Sequence, residues 1–254
     1  MGSGMKISVV TVTRNDGELL RRAVDSVYAQ RLSDGLSLEH IIVNGNPGTY
    51  DGALRYAASK GSKIIDLEPA GCYNAINYGL CQATGDVLGL LHGTDFYHDD
   101  AVLNAVAETL ADESVDFVFG DVVFVRADSP DKIRGVYSAR TFTPKQIKAG
   151  FAPPHPSLFI RRGAMERTGL YKENYRNAAD FDYFVRLFNA HPPMTWRYIP
   201  RTMVRMERGG ASATFHSRLI TNTLEKRRAL IENGFSIGWW RLFTRYRFHF
   251  KIRK

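Results

Sequence analysis

The stretch KISVVTVTRNDGELLRRAVDSVY, residues 6–28, has the pattern that decides the fold. Residues 6–13 form a β-branched run of strand length, and the turn-forming sequence RNDG ends it. Apolar side chains then recur on one helical face, and Asn15 with Glu18 three residues later resembles a capping box. The pattern therefore predicts a strand, a turn and a helix.

The same alternation continues along the first half of the chain. It predicts strands at 40–43, 63–67 and 86–91, with helices near 51–59 and 73–83. Strands that alternate with helices of about ten residues form right-handed βαβ units and a mostly parallel sheet. In such sheets ligands bind at the carboxyl ends of the strands.

The second half has a less regular pattern. It predicts a helix at 99–110, a strand from Phe117, a proline-restricted stretch at 142–156, a strand at 157–161, a helix opening at Asp180, strands near 195–199 and 203–207, and a helix from about 215 to 232. We expect an α/β catalytic domain over residues 5–214. A C-terminal helix and a basic aromatic tail occupy residues 215–254.

Composition excludes several classes of protein. With 254 residues, 44% of them hydrophobic and 24% charged, the chain is neither disordered nor fibrous. Its two cysteines, Cys72 and Cys81, cannot build a disulfide framework and are interpreted as small core or near-core residues. No stretch approaches the roughly 18 apolar residues of a membrane span. These features predict a reducing, cytoplasmic setting.

The net charge of +8 is concentrated near the C-terminus. Residues 218–254 contain ten basic and two acidic side chains, so the rest of the chain is neutral. Aromatic residues alternate with the basic ones, which is typical of a segment that binds an anionic membrane surface. Nucleic acid is the less favoured partner, because no recognised nucleic-acid module accompanies the tail. Strict polar and apolar alternation over 245–253 also permits an edge strand.

Two acidic residues are candidates for chemistry. Asp95 follows an apolar strand, where a carboxylate could hold a divalent cation with bound phosphates, although a turn or cap role is the simpler explanation. Asp99 and Asp100 are interpreted as caps of the next helix. Asp180 stands at a predicted helix start, where it could be a general base, an N-cap, or both. Asp182 and Arg186 are spaced as a surface ion pair.

Three loops complete the candidate site. The turn at Gly71 before a helix is a natural anion site, although it has neither a P-loop nor a dinucleotide fingerprint. His155 lies in a rigid proline-rich loop, and the Arg161-Arg162 pair that follows it favours contact with a ligand. Gly209 and Gly210, which follow the last predicted strand, suit a loop that closes over a ligand.

Seven segments taken in order resemble the family 2 glycosyltransferases with the GT-A fold, and in particular their bacterial polysaccharide-assembly branch. They are TVTRN, IIVNG, EPAGCYNAINYG, ATGDVLGLLHGTD, FGDV, HPSLFIRR and DFDYFVRL. The resemblance covers residues 5–212. It implies a nucleotide-sugar donor, most naturally a UDP-sugar, across the strand ends and a single displacement with inversion.

The resemblance also assigns roles to individual residues. Asp95 matches the acid that coordinates Mg²⁺ or Mn²⁺, and Asp180 matches the catalytic base. Donor-binding positions are Thr11, Thr13, Asn15, Asn44, Glu68, Gly71, Asn74, Asn77 and Thr94. Acceptor or loop positions are His155, Arg161, Asp182 and Gly210. The implied acceptor is a lipid-linked glycan or a lipopolysaccharide-type molecule at the inner face of the cell membrane, and a homodimer is compatible with this role.

Three positions depart from the branch. Asn44 stands where an aspartate usually faces the nucleobase, Thr94 replaces the first acid of an acidic pair, and Asn74 replaces another aspartate. The last two changes remove negative charge near the diphosphate, so we expect weaker metal binding. A non-catalytic nucleotide-sugar-binding or scaffolding subunit is the alternative function.

Overall fold

The computed structural model describes residues 4–49, 51–207 and 215–236, with side chains from residue 221 onward in the last segment. In chain order the elements are β1 Met5–Thr13, α1 Glu18–Tyr28, β2 Leu36–Asn44, α2 Gly52–Ser59, β3 Lys63–Asp66, α3 Cys72–Gln82, β4 Val87–His92, β5 Phe96–Tyr97, α4 Val102–Leu110, β6 Phe117–Val125, β7 Gly135–Tyr137, β8 Phe159–Arg161, α5 Arg162–Thr168, α6 Ala179–Phe188, β9 Trp196–Glu207 and α7 Phe215–Glu232. Short 3-10 helices span Pro144–Ala149 and His155–Ser157.

The strands form one sheet in the order β3-β2-β1-β4-β8-β6-β9-β5, with β7 paired to β6. The half built from β3, β2, β1 and β4 is parallel, as the βαβ pattern predicts. Strand β8 then runs antiparallel to both β4 and β6, which makes the second half mixed. The carboxyl ends of the parallel strands therefore lie along one edge of the sheet.

Helices cover both faces of this sheet because side chains alternate along each strand. On one face Val10 packs in a cluster with residues of α3, α6 and α7. On the other face Val9 packs with residues of α1 and α4. The two buried layers fix the sheet between helices and leave its carboxyl edge for the loops.

Strand β9 is one element where the sequence predicted two. Its register against β6 shifts on either side of Asp121, so the strand bulges near Pro200 and then continues. Proline cannot donate to the ladder, which explains why the sequence pattern breaks there while the strand does not. Gly120 accommodates the bulge, since a Cβ there would lie 2.6 Å from the Met203 sulfur.

Several local predictions are wrong. Helix α1 starts after Gly17 with no side-chain cap, and Asn15 has a φ of 63° in the left-handed region, so the capping box does not form. Helix α4 starts after Ala101 with no side-chain cap. Asp99 accepts from the Ala101 N–H, just before the helix, at 3.0 Å and pairs with Arg201 at 2.9 Å, while Asp100 pairs with Arg31 at 2.6 Å.

Both cysteines are also placed differently from the prediction. Cys72 and Cys81 are exposed, because the inward face of α3 is taken by Ile76 and Leu80. Neither cysteine belongs to the core.

Helix α7 packs on α6, and its Ala229 and Leu230 are fully buried in the main core cluster. Helix α7 therefore shares a core with the elements that precede it. No helix within the described ranges is long and apolar enough to cross a membrane.

Candidate active site

The ends of β1 and β4 lie side by side at the carboxyl edge, with Val12 opposite His92. The Thr13 hydroxyl donates to the Asp16 Oδ2 atom at 2.7 Å and so folds the loop back over the strand ends. A Cβ at Gly93 would lie 2.4 Å from that same oxygen, so only glycine permits the approach. The result is an Asp16 carboxylate held against the chain that leads to Asp95.

Asp95 is 2% exposed and has an incomplete hydrogen-bond shell. Its Oδ1 atom accepts from the Glu207 backbone N–H at 3.3 Å, and its Oδ2 atom is buried without a partner among the described residues. Burial raises the pKa of this carboxyl to about 7, and the nearby Glu207 and Asp16 charges add to the rise. The Thr94 side chain hydrogen-bonds to Asp95 and opposes the rise, so the residue that replaces an acid supports its neighbour.

The Glu207 side chain shares this environment. Its Oε2 atom is also buried and has no partner within the part of the chain that the structure describes. Strand β9 brings it there, since Arg205 pairs with Phe96 just beyond Asp95. Neighbouring carboxylates with buried oxygens are costly unless a cation joins them.

These residues fit a divalent cation that arrives with a nucleotide. The described ranges contain no group of three or more His, Cys, Asp or Glu residues arranged to hold a metal ion by themselves. Mg²⁺ is usually held by one or two carboxylates together with the phosphates of the substrate, so a third protein ligand is not required. The two unpartnered oxygens of Asp95 and Glu207 meet that requirement.

Asp180 is the second residue of α6 and is partly exposed. Its charge acts on the His92 ring at the end of β4, so it belongs to the same carboxyl edge of the sheet, which we call the rim. The helix N-cap is Ala178 and makes no side-chain bond, so the expected capping role of Asp180 is wrong. Its Oδ1 atom accepts from the Phe181 N–H at 2.7 Å. Burial raises its pKa, while the positive charge of Lys226 and the His92 ring act in the opposite direction.

The His92 side chain interacts with two of the acidic residues at the rim. Its ring interacts with the charges of both Asp180 and Asp16, and burial lowers its pKa to about 4. The His155 ring lies 6.4 Å away, centroid to centroid, and its Nε2 is 2.9 Å from the Tyr171 hydroxyl. Burial also lowers the pKa of His155 to about 4, so both rings are neutral near pH 7.

Three of the expected donor-binding residues are buried supports. The Thr11 hydroxyl is fully buried and lies 2.9 Å from His40 Nε2. The Asn44 amide is 2% exposed and donates to Asp66 Oδ1 at 2.7 Å. Asn77 bonds the backbone N–H and C=O of Tyr171 at 2.9 and 2.8 Å. These side chains hold the strand ends and loops in place and do not face a ligand.

Other expected donor residues do lie at the carboxyl edge. Asn15 is exposed and accepts from the Asn46 side chain at 2.6 Å. Glu68 and Gly71 are exposed where β3 leads into α3, and Gly71 has a φ of 107° that favours glycine. Asn74 donates to the Glu173 carboxylate at 3.0 Å. Gly210 lies outside the described residues.

Arg161 is not at this edge, contrary to the sequence prediction. It pairs with Val87 at the start of β4, which is the opposite end of the sheet. Its guanidinium donates to the backbone carbonyls of Leu110, Asp112 and Val115, which end α4 and the turn after it. The side chain is therefore a structural clamp and cannot contact an acceptor at the strand ends.

Asp182 is not part of a surface ion pair. It is fully buried and binds Lys172 Nζ at 3.0 Å, Arg186 Nε at 2.9 Å and Asn233 Nδ2 at 3.0 Å. These contacts tie α6 to α7. The residue is structural, and the acceptor role implied for it is wrong.

Four residues of the rim were missed by the sequence reasoning: Asp16, His92, Glu207 and Lys226. Asp16 and His92 could have been found, because both directly follow or end predicted strands. Glu207 and Lys226 have no local signal, since long-range packing of β9 and α7 brings them to the rim.

The half-parallel sheet with an acidic carboxyl edge and a mixed second half defines an α/β protein of GT-A architecture. Residues 8–168 match the model of glycosyl transferase family 2, and the chain therefore belongs to that family. It is 30% identical over 203 residues to an uncharacterized glycosyltransferase of Mycobacterium tuberculosis strain CDC 1551 / Oshkosh, covering 78% of this chain and 75% of that one. It is 29% identical over 214 residues to a PGL/p-HBAD biosynthesis glycosyltransferase of Mycobacterium bovis BCG / Pasteur 1173P2, covering 82% and 79%.

Solved structures show the same fold. Staphylococcus aureus TarS 1–349 in complex with UDP-GlcNAc superposes with a TM-score of 0.71 at 14% identity, over 91% of this chain and 68% of TarS. The mannosyltransferase PcManGT from Pyrobaculum calidifontis, in complex with GDP-Man and Mn²⁺, gives 0.60 at 19% identity, over 93% and 67%. These likenesses confirm the GT-A fold.

Proposed function

We propose that this family 2 glycosyltransferase is an inverting enzyme that transfers one sugar from a UDP-sugar to a lipid-linked glycan or lipopolysaccharide-type acceptor. The observation that carries the proposal is the partly exposed Asp180 carboxylate, which shares a rim with the Asp95 and Glu207 oxygens that lack partners among the described residues. On this proposal one carboxylate takes a proton, and the other two bind the cation that accompanies the diphosphate.

Asp180 would act as the general base. It accepts the proton of the acceptor hydroxyl while that oxygen attacks the anomeric carbon from the face opposite the leaving group. The bond between the anomeric carbon and the phosphate oxygen breaks, and the nucleoside diphosphate leaves with the electron pair. One displacement inverts the anomeric configuration. The Lys226 charge supports this role by favouring the ionised carboxylate that a base requires.

Asp95 and Glu207 would hold Mg²⁺ or Mn²⁺. When bound, the cation neutralises charge that develops on the departing diphosphate. Burial of the Asp95 Oδ2 and Glu207 Oε2 atoms strengthens their interaction with a cation. The His92 ring is neutral and interacts with the charges of Asp180 and Asp16. It can therefore donate one hydrogen bond to a phosphate oxygen without adding charge.

The acceptor part of the proposal rests on the tail and on a relative. The basic and aromatic residues of the C-terminal segment suit an anionic lipid surface at the cytoplasmic face of the cell membrane. Helix α7, which precedes the tail, exposes the apolar Leu224 and Ile231. One relative is named as a PGL/p-HBAD biosynthesis glycosyltransferase, and we take its acceptor class as a guide for this chain.

A calorimetric panel of UDP-, GDP- and dTDP-sugars, with and without Mn²⁺, tests the proposal. We expect selective binding of one UDP-sugar that tightens with Mn²⁺, together with slow donor hydrolysis or transfer. Binding without any turnover would favour the scaffolding alternative. Binding of GDP- or dTDP-sugars in preference to UDP-sugars would contradict the nucleotide proposed here.

A further inference from the structure

Helix α7 contacts the first turn of α6 and the loop before it through charged side chains. The Glu225 carboxylate accepts the backbone N–H groups of Arg176 at 2.8 Å and Asn177 at 2.7 Å. These residues lead directly into the helix that carries Asp180. The contact fixes where that helix begins.

The next residue of α7 reaches toward the base. The Lys226 Nζ atom donates to the Gly150 carbonyl at 2.8 Å and lies 4.7 Å from the centroid of the Phe181 ring. Phe181 directly follows Asp180. The ammonium is thus held at the first turn of α6, next to the residue that follows the candidate base, by the Phe181 ring and the Gly150 carbonyl.

The other end of the α7 contact is equally well anchored. Glu232 binds Lys172 Nζ and the Tyr175 hydroxyl, each at 2.9 Å. The Asn233 amide donates to the buried Asp182 carboxylate at 3.0 Å. With two ends fixed and an apolar seam between them, α7 cannot shift relative to α6 without breaking several hydrogen bonds.

We propose that Lys226 is a positioning residue for Asp180: α7 holds its ammonium at the first turn of α6, where its positive charge acts on the carboxylate of the base. The proposal rests on the assignment of Asp180 as the base under the proposed function. It adds a residue from outside the segment that the family model matches, which ends at residue 168.

Other titratable groups also interact electrostatically with Asp180. His92 approaches from β4, Cys72 and Tyr73 from α3, and Tyr171 from the loop before α6. Local desolvation and the negative charge of Asp180 raise the pKa of Cys72, Tyr73 and Tyr171, so these three are neutral near pH 7. Burial lowers the pKa of His92, so it is neutral as well. Of these groups and Lys226, only Lys226 therefore carries a positive charge near pH 7.

An NMR titration of protein labelled with ¹³C-aspartate tests the role directly. The Asp180 carboxyl resonance is assigned by its loss in Asp180→Asn. We expect its titration midpoint to rise by about one pH unit in Lys226→Met and to return close to the wild-type value in Lys226→Arg. Lys145→Met, which removes an exposed positive charge from the neighbouring 3-10 helix, is the matched control and should leave the midpoint unchanged.

An unchanged midpoint in Lys226→Met, or an equal rise in Lys145→Met, would overturn the proposal. If Lys226→Met does not fold, Lys226→Gln retains a donor for Gly150 without the charge and serves as the second variant. The acid limb of the kcat profile should move to higher pH in the same variants, whereas a purely structural role would lower kcat at every pH. Normal turnover in Asp180→Asn would remove the base assignment and leave the NMR shift intact, so the two failures are distinguishable.

Discussion

Asp95 and Glu207 meet at the carboxyl edge of the sheet although 112 residues separate them in the chain. The Glu207 backbone N–H donates to one Asp95 oxygen at 3.3 Å, while the other Asp95 oxygen and Glu207 Oε2 stay buried and without partners among the described residues. Folding therefore places two carboxylates where their charges repel. A cation is the partner that such an arrangement favours.

Glu207→Gln should weaken Mn²⁺ binding in the presence of UDP by about tenfold or more, because one of two carboxylate ligands becomes neutral. Electron paramagnetic resonance of free Mn²⁺ measures the affinity. The control Glu113→Gln removes an exposed acid from the turn between α4 and β6 and should leave the Mn²⁺ affinity unchanged. Thr94→Asp should bind Mn²⁺ more tightly than the wild type. Equal Mn²⁺ affinities in wild type, Glu207→Gln and Thr94→Asp would contradict the proposed metal ligands.

Gly93→Ala should destabilise the protein by about 1–3 kcal/mol, since its methyl group would meet the Asp16 carboxylate at 2.4 Å and Thr13 at 3.0 Å. Urea unfolding gives the free energy. Gly163→Ala is the matched control in α5, where no atom lies within 4 Å of the added methyl group. That change should leave stability the same or raise it by up to about 1 kcal/mol. A destabilisation no larger than that of the control would show that the close approach is not constrained.

His40 should make folding depend on pH. It is buried between the Thr11 and Ser62 hydroxyls, each 2.9 Å from a ring nitrogen, and burial lowers its pKa to about 3. Below pH 6.5 the unfolded chain binds the proton first, so this stability is complete above pH 6.5 and is lost as the pH falls toward 3. At pH 5 the loss is about 2 kcal/mol.

The measurement compares urea unfolding of wild type and His40→Gln at pH 7.5 and pH 5. Asp95 and Asp180 have raised pKa values and titrate in the opposite sense, so the difference between the two proteins is the informative quantity. We expect it to shrink by about 2 kcal/mol between the two pH values. A difference that does not change with pH would mean that His40 is not held neutral by folding.

Deletion of residues 241–254 should weaken association with anionic vesicles by tenfold or more, because it removes six basic side chains, each worth about 1 kcal/mol near such a surface. Vesicle co-sedimentation measures the binding, and zwitterionic vesicles provide the control. The effect should diminish at high salt. Unchanged association after the deletion would show that the tail does not anchor the protein.

The parallel half of the fold could be predicted because its signal is local. The β-branched run before Thr13 and the apolar run before Asp95 are each long enough to show the strand period, and both strands lie within one residue of their predicted bounds. Strand β9 could not be predicted as one element, since Pro200 interrupts the pattern while bulging preserves the pairing with β6.

The site was predictable only in part for a related reason. Motif position selected Asp95 and Asp180 as candidates, yet it could not show that Thr11 and Asn44 point into the protein, because strand ends alternate between buried and exposed faces. Nor could it locate Glu207 or Lys226, whose places depend on contacts between elements distant in sequence.

Turnover of Asp180→Asn, measured with the UDP-sugar selected by the calorimetric panel, tests the central claim most directly. The amide keeps the shape of the side chain and cannot accept the proton, so turnover should fall by about 10² to 10⁴ while the dissociation constant of the donor stays within about twofold. Turnover close to that of the wild type, with donor binding unchanged, would contradict Asp180 as the base and with it the proposed mechanism.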